Sequence, residues 1–260
     1  MRKLLPLLYV CLAALFITSC ANTKKITYFN NVSNATFKGN DVEKQTPLEP
    51  SDILSITVSS ANAEASQPFN LQNNNISRAT TVTGSNNESG GYLVNANGTI
   101  DLPILGSVQA AGLTKEQLKN NITNLILSKK LLVDPIVDIR YLNYEVTVLG
   151  EVAKPTVITV PNEKISLLKA LGLAGDLTIY GKRDNVLLIR EENGEKITRH
   201  IDLNSSDFFN SPYYYLRPND VIYVQPNATK AATASRSTQF LPIVFSALSV
   251  IAIVLDRVLR

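Results

Sequence analysis

Apolar and polar residues alternate in short runs along most of this chain, and one longer helical repeat interrupts them. Leu54, Ile56 and Val58 form one face of a strand that follows a turn at Pro50–Asp52. Tyr92 to Asn95 alternates again, and Asn97-Gly98 supplies the residues that a tight hairpin turn prefers. Thr99 to Leu102 alternates until Pro103 stops it, and a second short strand is expected over Ile104–Val108. Leu118, Ile122, Leu125 and Ile126 then recur on one helical face. The start of that helix is written out: Thr114 caps it, Gln117 completes a capping box, and Leu113 with Leu118 make a hydrophobic staple. Pro135 disfavours a helical Asp134, and Ile136–Leu142 reads as a strand closing the unit. Strand, hairpin, helix and strand in that order predict a small α+β domain over 47–142.

A second unit is expected over 143–226. Glu145–Val152 and Pro155–Val160 read as strands, and Ser166 caps a short helix over Leu167–Leu173. Gly175 ends that helix where a left-handed residue is wanted. Asn185–Arg190 and Ile197–Leu203 are further strands, with Asn193-Gly194 as their turn. The unit closes on Leu216-Arg217-Pro218-Asn219-Asp220-Val221-Ile222-Tyr223-Val224, a near copy of Leu48-Glu49-Pro50-Ser51-Asp52-Ile53-Leu54-Ser55-Ile56. Asp52 and Asp220 read as turn residues that cap backbone groups, not as a catalytic pair. Tyr213, Tyr214 and Tyr215 form an aromatic run with two readings: contacts to sugar rings, or packing on a sheet or at a subunit edge.

The termini add a membrane theme. Residues 1–19 have a basic start at Arg2-Lys3, an apolar stretch from Leu4 to Phe16, and small residues just before Cys20. The expected processing is cleavage before Cys20 and acylation of its thiol and new amino terminus; the plainer alternative is an ordinary signal peptide with an incidental cysteine. Several acyl chains give stable anchoring where one is marginal. Residues 20–46 are polar and irregular and read as a tether, within which Ile26–Phe29 is either a short strand or a docking patch. Ser59–Gly90, rich in Asn, Ser and Thr, reads as a surface loop, or as one that faces neighbouring subunits or a periplasmic partner. After a linker over 227–239, residues 240–258 are expected to form a transmembrane helix. Its small residues Ser246, Ser249 and Ala252 recur at a spacing of three, as a helix-packing or lumen-facing stripe. A buried core helix and an inner-membrane tail anchor are the other readings of this segment.

Composition narrows the chemistry. The net charge of +3 is small and gives no basic stripe for nucleic acid. Two cysteines, both within the first 20 residues, and one histidine are too few for a metal site or a disulfide framework. No nucleophile–histidine–carboxylate frame and no phosphate-cradling glycine loop occurs, so no catalytic residue and no cofactor is expected.

Two stretches carry a family resemblance. The string G-T-I-D-L-P-I-L-G-x-V-x-x-x-G-L-T-x-x-Q-L, Gly98 to Leu118, resembles the core of the bacterial outer-membrane polysaccharide export family. The frame V-x-G-E-V-x-x-P with L-x-x-A-L-x-x-A-G-D and V-x-x-x-R, Val148 to Arg190, resembles its soluble-ligand-binding (SLBB) β-grasp domain. The resemblance implies an α+β chain: an export α/β domain, then a β-grasp domain, with a C-terminal transmembrane helix. It further implies a lipid-anchored outer-membrane protein with most of its chain in the periplasm. It also implies a homo-oligomer that passes polysaccharide passively and meets an inner-membrane chain-length-regulating co-polymerase. A glycan-binding or scaffolding lipoprotein without a pore is the alternative.

Overall fold

A computed structural model of the chain describes residues 27–32, 34, 36–37, 46–71, 90–192, 194–233 and 236–258. The expected leader, Cys20, most of the tether and the middle of the Asn-rich loop lie outside these residues.

Two α+β units follow one another, each around its own apolar core. In the first, β1 (Ile53–Ser59) sits between β2 (Tyr92–Leu93) and β5 (Ile136–Tyr141), antiparallel to both. A separate hairpin of β3 (Thr99–Leu102) and β4 (Gly106–Gln109) packs beside them. A one-turn helix α1 (Ala63–Ser66) follows β1, and α2 (Lys115–Ser128) precedes β5. The capping box of α2 forms as its sequence requires, with the Thr114 hydroxyl accepting from the Gln117 N–H and the Gln117 side chain accepting from the Thr114 N–H. Leu118, Ile122 and Ile126 are fully buried under it, against Leu54, Ile56 and Ile100.

The expected hairpin differs in its partners. Asn97-Gly98 does turn the chain, with the Asn95 side chain accepting from the Asn97 and Thr99 N–H groups. The arms then part: β2 pairs with β1, whereas β3 pairs with β4. The β3–β4 connection lies at Pro103–Leu105, where Ile104 adopts a φ of 67°, so β4 begins at Gly106 and not at Ile104.

In the second unit β6 (Glu145–Gly150) and β10 (Val221–Pro226) are its first and last strands, and they lie parallel and adjacent. β7 (Thr156–Thr159), β8 (Gly181–Glu192) and β9 (Glu195–Ile201) complete a sheet of order β7-β6-β10-β8-β9. The helix α3 (Leu167–Leu173) buries Leu167, Ala170 and Leu171 against that sheet. The strand expected over Asn185–Arg190 lies within β8, which runs on to 12 residues, and the one expected over Ile197–Leu203 starts two residues earlier as β9. Val186, Leu188 and Arg190 alternate inward, and the pairing of β8 with β10 shifts register before Val186.

The unit ends in α4 (Ala228–Thr233), within what reads from sequence as a linker, and α5 (Arg236–Val258). The transmembrane helix expected over 240–258 falls on α5, a 23-residue helix; among the described residues no helix is long and apolar enough to cross a membrane.

Candidate functional site

The echoed turns share one geometry. The Asp52 carboxylate accepts the Glu49 N–H at 2.8 Å, and the Asp220 carboxylate accepts the Arg217 N–H at 2.7 Å. Both aspartates therefore close their own turns, as short polar side chains do. Ser51 and Asn219, the residues before them, both have positive φ. Their surroundings then diverge. Asp220 is fully buried and holds the Arg190 guanidinium through two bonds of 2.8 and 2.6 Å. Asp52 is nearly as buried and has no such partner among the described residues, so burial pushes its carboxyl up to about 6 in spite of the Glu49 N–H. Glu49 is raised as well, by burial and then by Asp52 and Glu191.

These turns lie at the junction of the two units. Asn143 clamps the first turn, accepting from the Ile53 N–H at 2.9 Å and donating to the Ser51 carbonyl at 3.0 Å. Glu163 of the second unit accepts the Tyr141 N–H at 2.6 Å and pairs with Lys115 at the start of α2. Tyr141 packs against both cores and meets the Tyr144 ring edge-on at 5.9 Å. The junction is therefore a set of directional bonds, which fix the orientation of one unit on the other better than apolar contact alone.

The three consecutive tyrosines take separate places. Tyr213 is half-buried, bonded through its hydroxyl to Arg199 at 2.9 Å, and under the Arg190 guanidinium. Tyr214 packs among Phe208, Phe209 and Tyr215. Tyr215 alone is exposed, with the Lys164 ammonium 4.7 Å from its ring centre. The run thus forms no shared face, and packing occupies two of its three rings.

On α5 the Ser246 and Ser249 hydroxyls are turned back onto the carbonyls of Ile243 and Ser246, each at 2.8 Å. Ala252 lies three residues on, its side chain outside the described set. Phe240, Ile243, Val244, Phe245, Leu248, Ile251 and Val254 all stand exposed, so the helix presents apolar side chains on several sides that nothing among the described residues covers.

Of the two readings of Ile26–Phe29, a short strand or a docking patch, the described residues fit the second. The segment Thr27–Val32 is seated on the second unit: Phe29 and Asn30 donate to the carbonyls of Leu203 and Asn204, and the Asn31 side chain accepts the Ser206 N–H. Phe29 and Phe37 both pack on Phe209, the Tyr28 hydroxyl donates to Asp176, and the Arg183 guanidinium covers the Tyr28 ring. What sequence left open was the partner, the Leu203–Phe209 region of the second unit. Among the described residues no group of acidic, cysteine or histidine side chains could hold a metal ion.

The chain's two cores coincide with two family matches. Residues 40–142 match the family of polysaccharide biosynthesis/export proteins, and residues 146–199 match the SLBB domain. Among curated proteins it is similar to the EPS I polysaccharide export outer membrane protein EpsA of Ralstonia solanacearum. Identity is 27% over 139 residues, covering 52% of this chain and 36% of that protein. The EpsA of Ralstonia nicotianae is 28% identical over 139 residues, covering 52% and 35%. The chain thus spans about a third of the length of these relatives.

Proposed function

Because the chain belongs to the polysaccharide biosynthesis/export family, we propose that it is a subunit of an outer-membrane assembly that passes polysaccharide from the periplasm to the cell surface. The observation that carries this reading is the pairing of an export unit with an SLBB unit, joined through Glu163, Lys115, Tyr141 and Asn143 into one body. Transport is passive, and the polymer is pushed by inner-membrane machinery of the co-polymerase class.

A polar polymer crosses lipid only through a wall whose backbone groups are satisfied internally. One chain of this size cannot enclose such a path, so several copies form a closed ring with head-to-tail contacts. In that ring Cys20 is acylated and tethers each copy to the outer membrane. The α5 helices stand side by side and bring the ring's apolar surface to the lipid. The bulk of each chain lies in the periplasm.

A second reading is a periplasm-facing scaffolding or glycan-binding lipoprotein without a pore. It is favoured by one observation, that no described helix is long and apolar enough to cross a membrane. Deleting Phe240–Arg260 tests the export reading. Loss of surface polysaccharide with the two units still folded supports it, and unchanged surface polysaccharide sinks it.

A further inference from the structure

The β3–β4 hairpin and α2 enclose an open groove of about 500 Å³ on the export unit. Its polar walls are Ser107 and Gln109 from β4 and Asn121, Asn124 and Ser128 from α2, with Val108 and Leu125 between them. All five wall residues are neutral, and all five are exposed. Each amide offers both a carbonyl acceptor and two N–H donors, and each hydroxyl can give or take a bond. Leu125 is half-buried and offers the groove its apolar surface, while Val108 is buried beneath it and anchors β4.

Two internal bonds hold the walls in place. The Gln109 amide donates to the Ala111 carbonyl at 3.2 Å, and the Ser128 hydroxyl donates to the Leu125 carbonyl at 3.0 Å. Charge is kept to the margins: Asp101 lies across the hairpin from Ser107, and the Lys129 ammonium, next to Ser128, already donates to the Leu105 carbonyl at 3.3 Å.

We propose that this groove between β4 and α2 is a sliding contact for a neutral stretch of polysaccharide. Sugar hydroxyls would exchange bonds with Asn121, Asn124, Gln109 and Ser107, and the C–H face of a ring would rest on the half-buried Leu125. Two properties fit a moving polymer. The groove is open to solvent and not enclosed, so a chain can lie across it. Its lining lacks charge, so no single contact is strong, and a conduit needs binding weak enough to release. The site is distinct from the Tyr213–Tyr215 run. It rests on the export reading for its role in cells, but its affinity for glycan is independent of that reading.

The test uses full-length protein in detergent, run by affinity electrophoresis through gels containing dextran, galactan or mannan, with hyaluronate as the anionic comparison. The expected result is retardation by at least one neutral polymer. The N121A/N124A variant, altered only at exposed positions, should melt as wild type does and bind about tenfold more weakly or worse. The near-isosteric N121D/N124D variant should also lose retardation. Three results would overturn the proposal: no retardation by any neutral polymer, equal retardation of the N121A/N124A variant, or hyaluronate bound as well as the neutral polymers. A strain lacking the whole chain separates the two claims. Normal surface polysaccharide there, together with retained binding in the gel, overturns the export reading and leaves the groove standing.

Discussion

Arg190 and Asp220 form a bidentate pair sealed inside the second unit, Nε to Oδ1 at 2.8 Å and Nη2 to Oδ2 at 2.6 Å, with Asp220 fully buried. Asp220 also closes the turn before β10, so a single side chain joins the turn, β8 and the central strand. Removing one partner strands the other's charge in the core, and that usually costs about 3–5 kcal/mol. Arg190→Ala should therefore unfold the second unit at far lower denaturant than wild type. Arg190→Met with Asp220→Asn, which keeps the turn cap and removes both charges, should recover most of the loss. Denaturant melts of the three proteins decide it; a wild-type-like midpoint for Arg190→Ala would contradict the assignment.

Asp52 makes the opposite prediction, because it has the same turn without the arginine. Its folded carboxyl stands at about 6 against an ordinary value of 3.8. The folded state therefore holds a proton that the unfolded chain gives up, and stability falls as pH rises through that window. The raised Glu49 pushes in the same direction. Asp52→Asn keeps an acceptor for the Glu49 N–H and removes the charge. Above pH 6 it should be more stable than wild type, by up to about 3 kcal/mol, and its stability should vary less from pH 4 to 6. Denaturant midpoints at pH 4.5 and 7 check this. Wild-type stability that rises over that range would be the wrong sign.

Gly150 lies in the V-x-G-E-V frame at a φ of +89°, where a Cβ would fall on the Val224 carbonyl oxygen. β6 and β10 pair in parallel at that residue, so neither strand can retreat without breaking the register. Gly150→Ala should cost more than about 3 kcal/mol through strain and overpacking. Gly106→Ala has open space around it and pays only for its positive φ, so it should cost less. Paired thermal melts give the comparison, and equal shifts would contradict it.

The seated N-terminal segment predicts a local effect. Tyr28→Ala removes both the bond to Asp176 and the ring under Arg183. Hydrogen exchange at the Phe29 and Asn30 amides, which bond to Leu203 and Asn204, should rise sharply while exchange in α2 stays unchanged. Unaltered exchange at those two amides would show that the seat does not depend on Tyr28.

Much of this arrangement was legible in local signals. The capping box at Thr114 and Gln117, the Asn97-Gly98 turn and the two aspartate-closed turns depend on residues close in sequence, and each forms. What sequence could not supply was partnership at long range. Tyr92 and Thr99 flank one turn but pair with different strands, because β1 offers a longer apolar edge than a hairpin arm of two residues. Arg190 stood in the quoted V-x-x-x-R frame, yet its aspartate lies 30 residues away. The Tyr213–Tyr215 run reads as one aromatic face until the chain's bend sends Tyr215 outward and Tyr214 toward Phe208. Residues 240–258 read as a membrane span from their apolarity, and they do form a helix, α5, whose described side chains stand exposed. Cys20 lies outside the described residues, and its acylation stays a proposal that mass spectrometry of the membrane fraction can test.

The central claim is that copies of this chain assemble into an export ring. It is tested most directly by detergent extraction followed by sizing and negative-stain imaging of the full-length protein and of a form truncated after Gln239. The account predicts a closed ring for the full-length protein, with a narrow cap that the truncation removes. A monomer in both forms, in several gentle detergents, would contradict it.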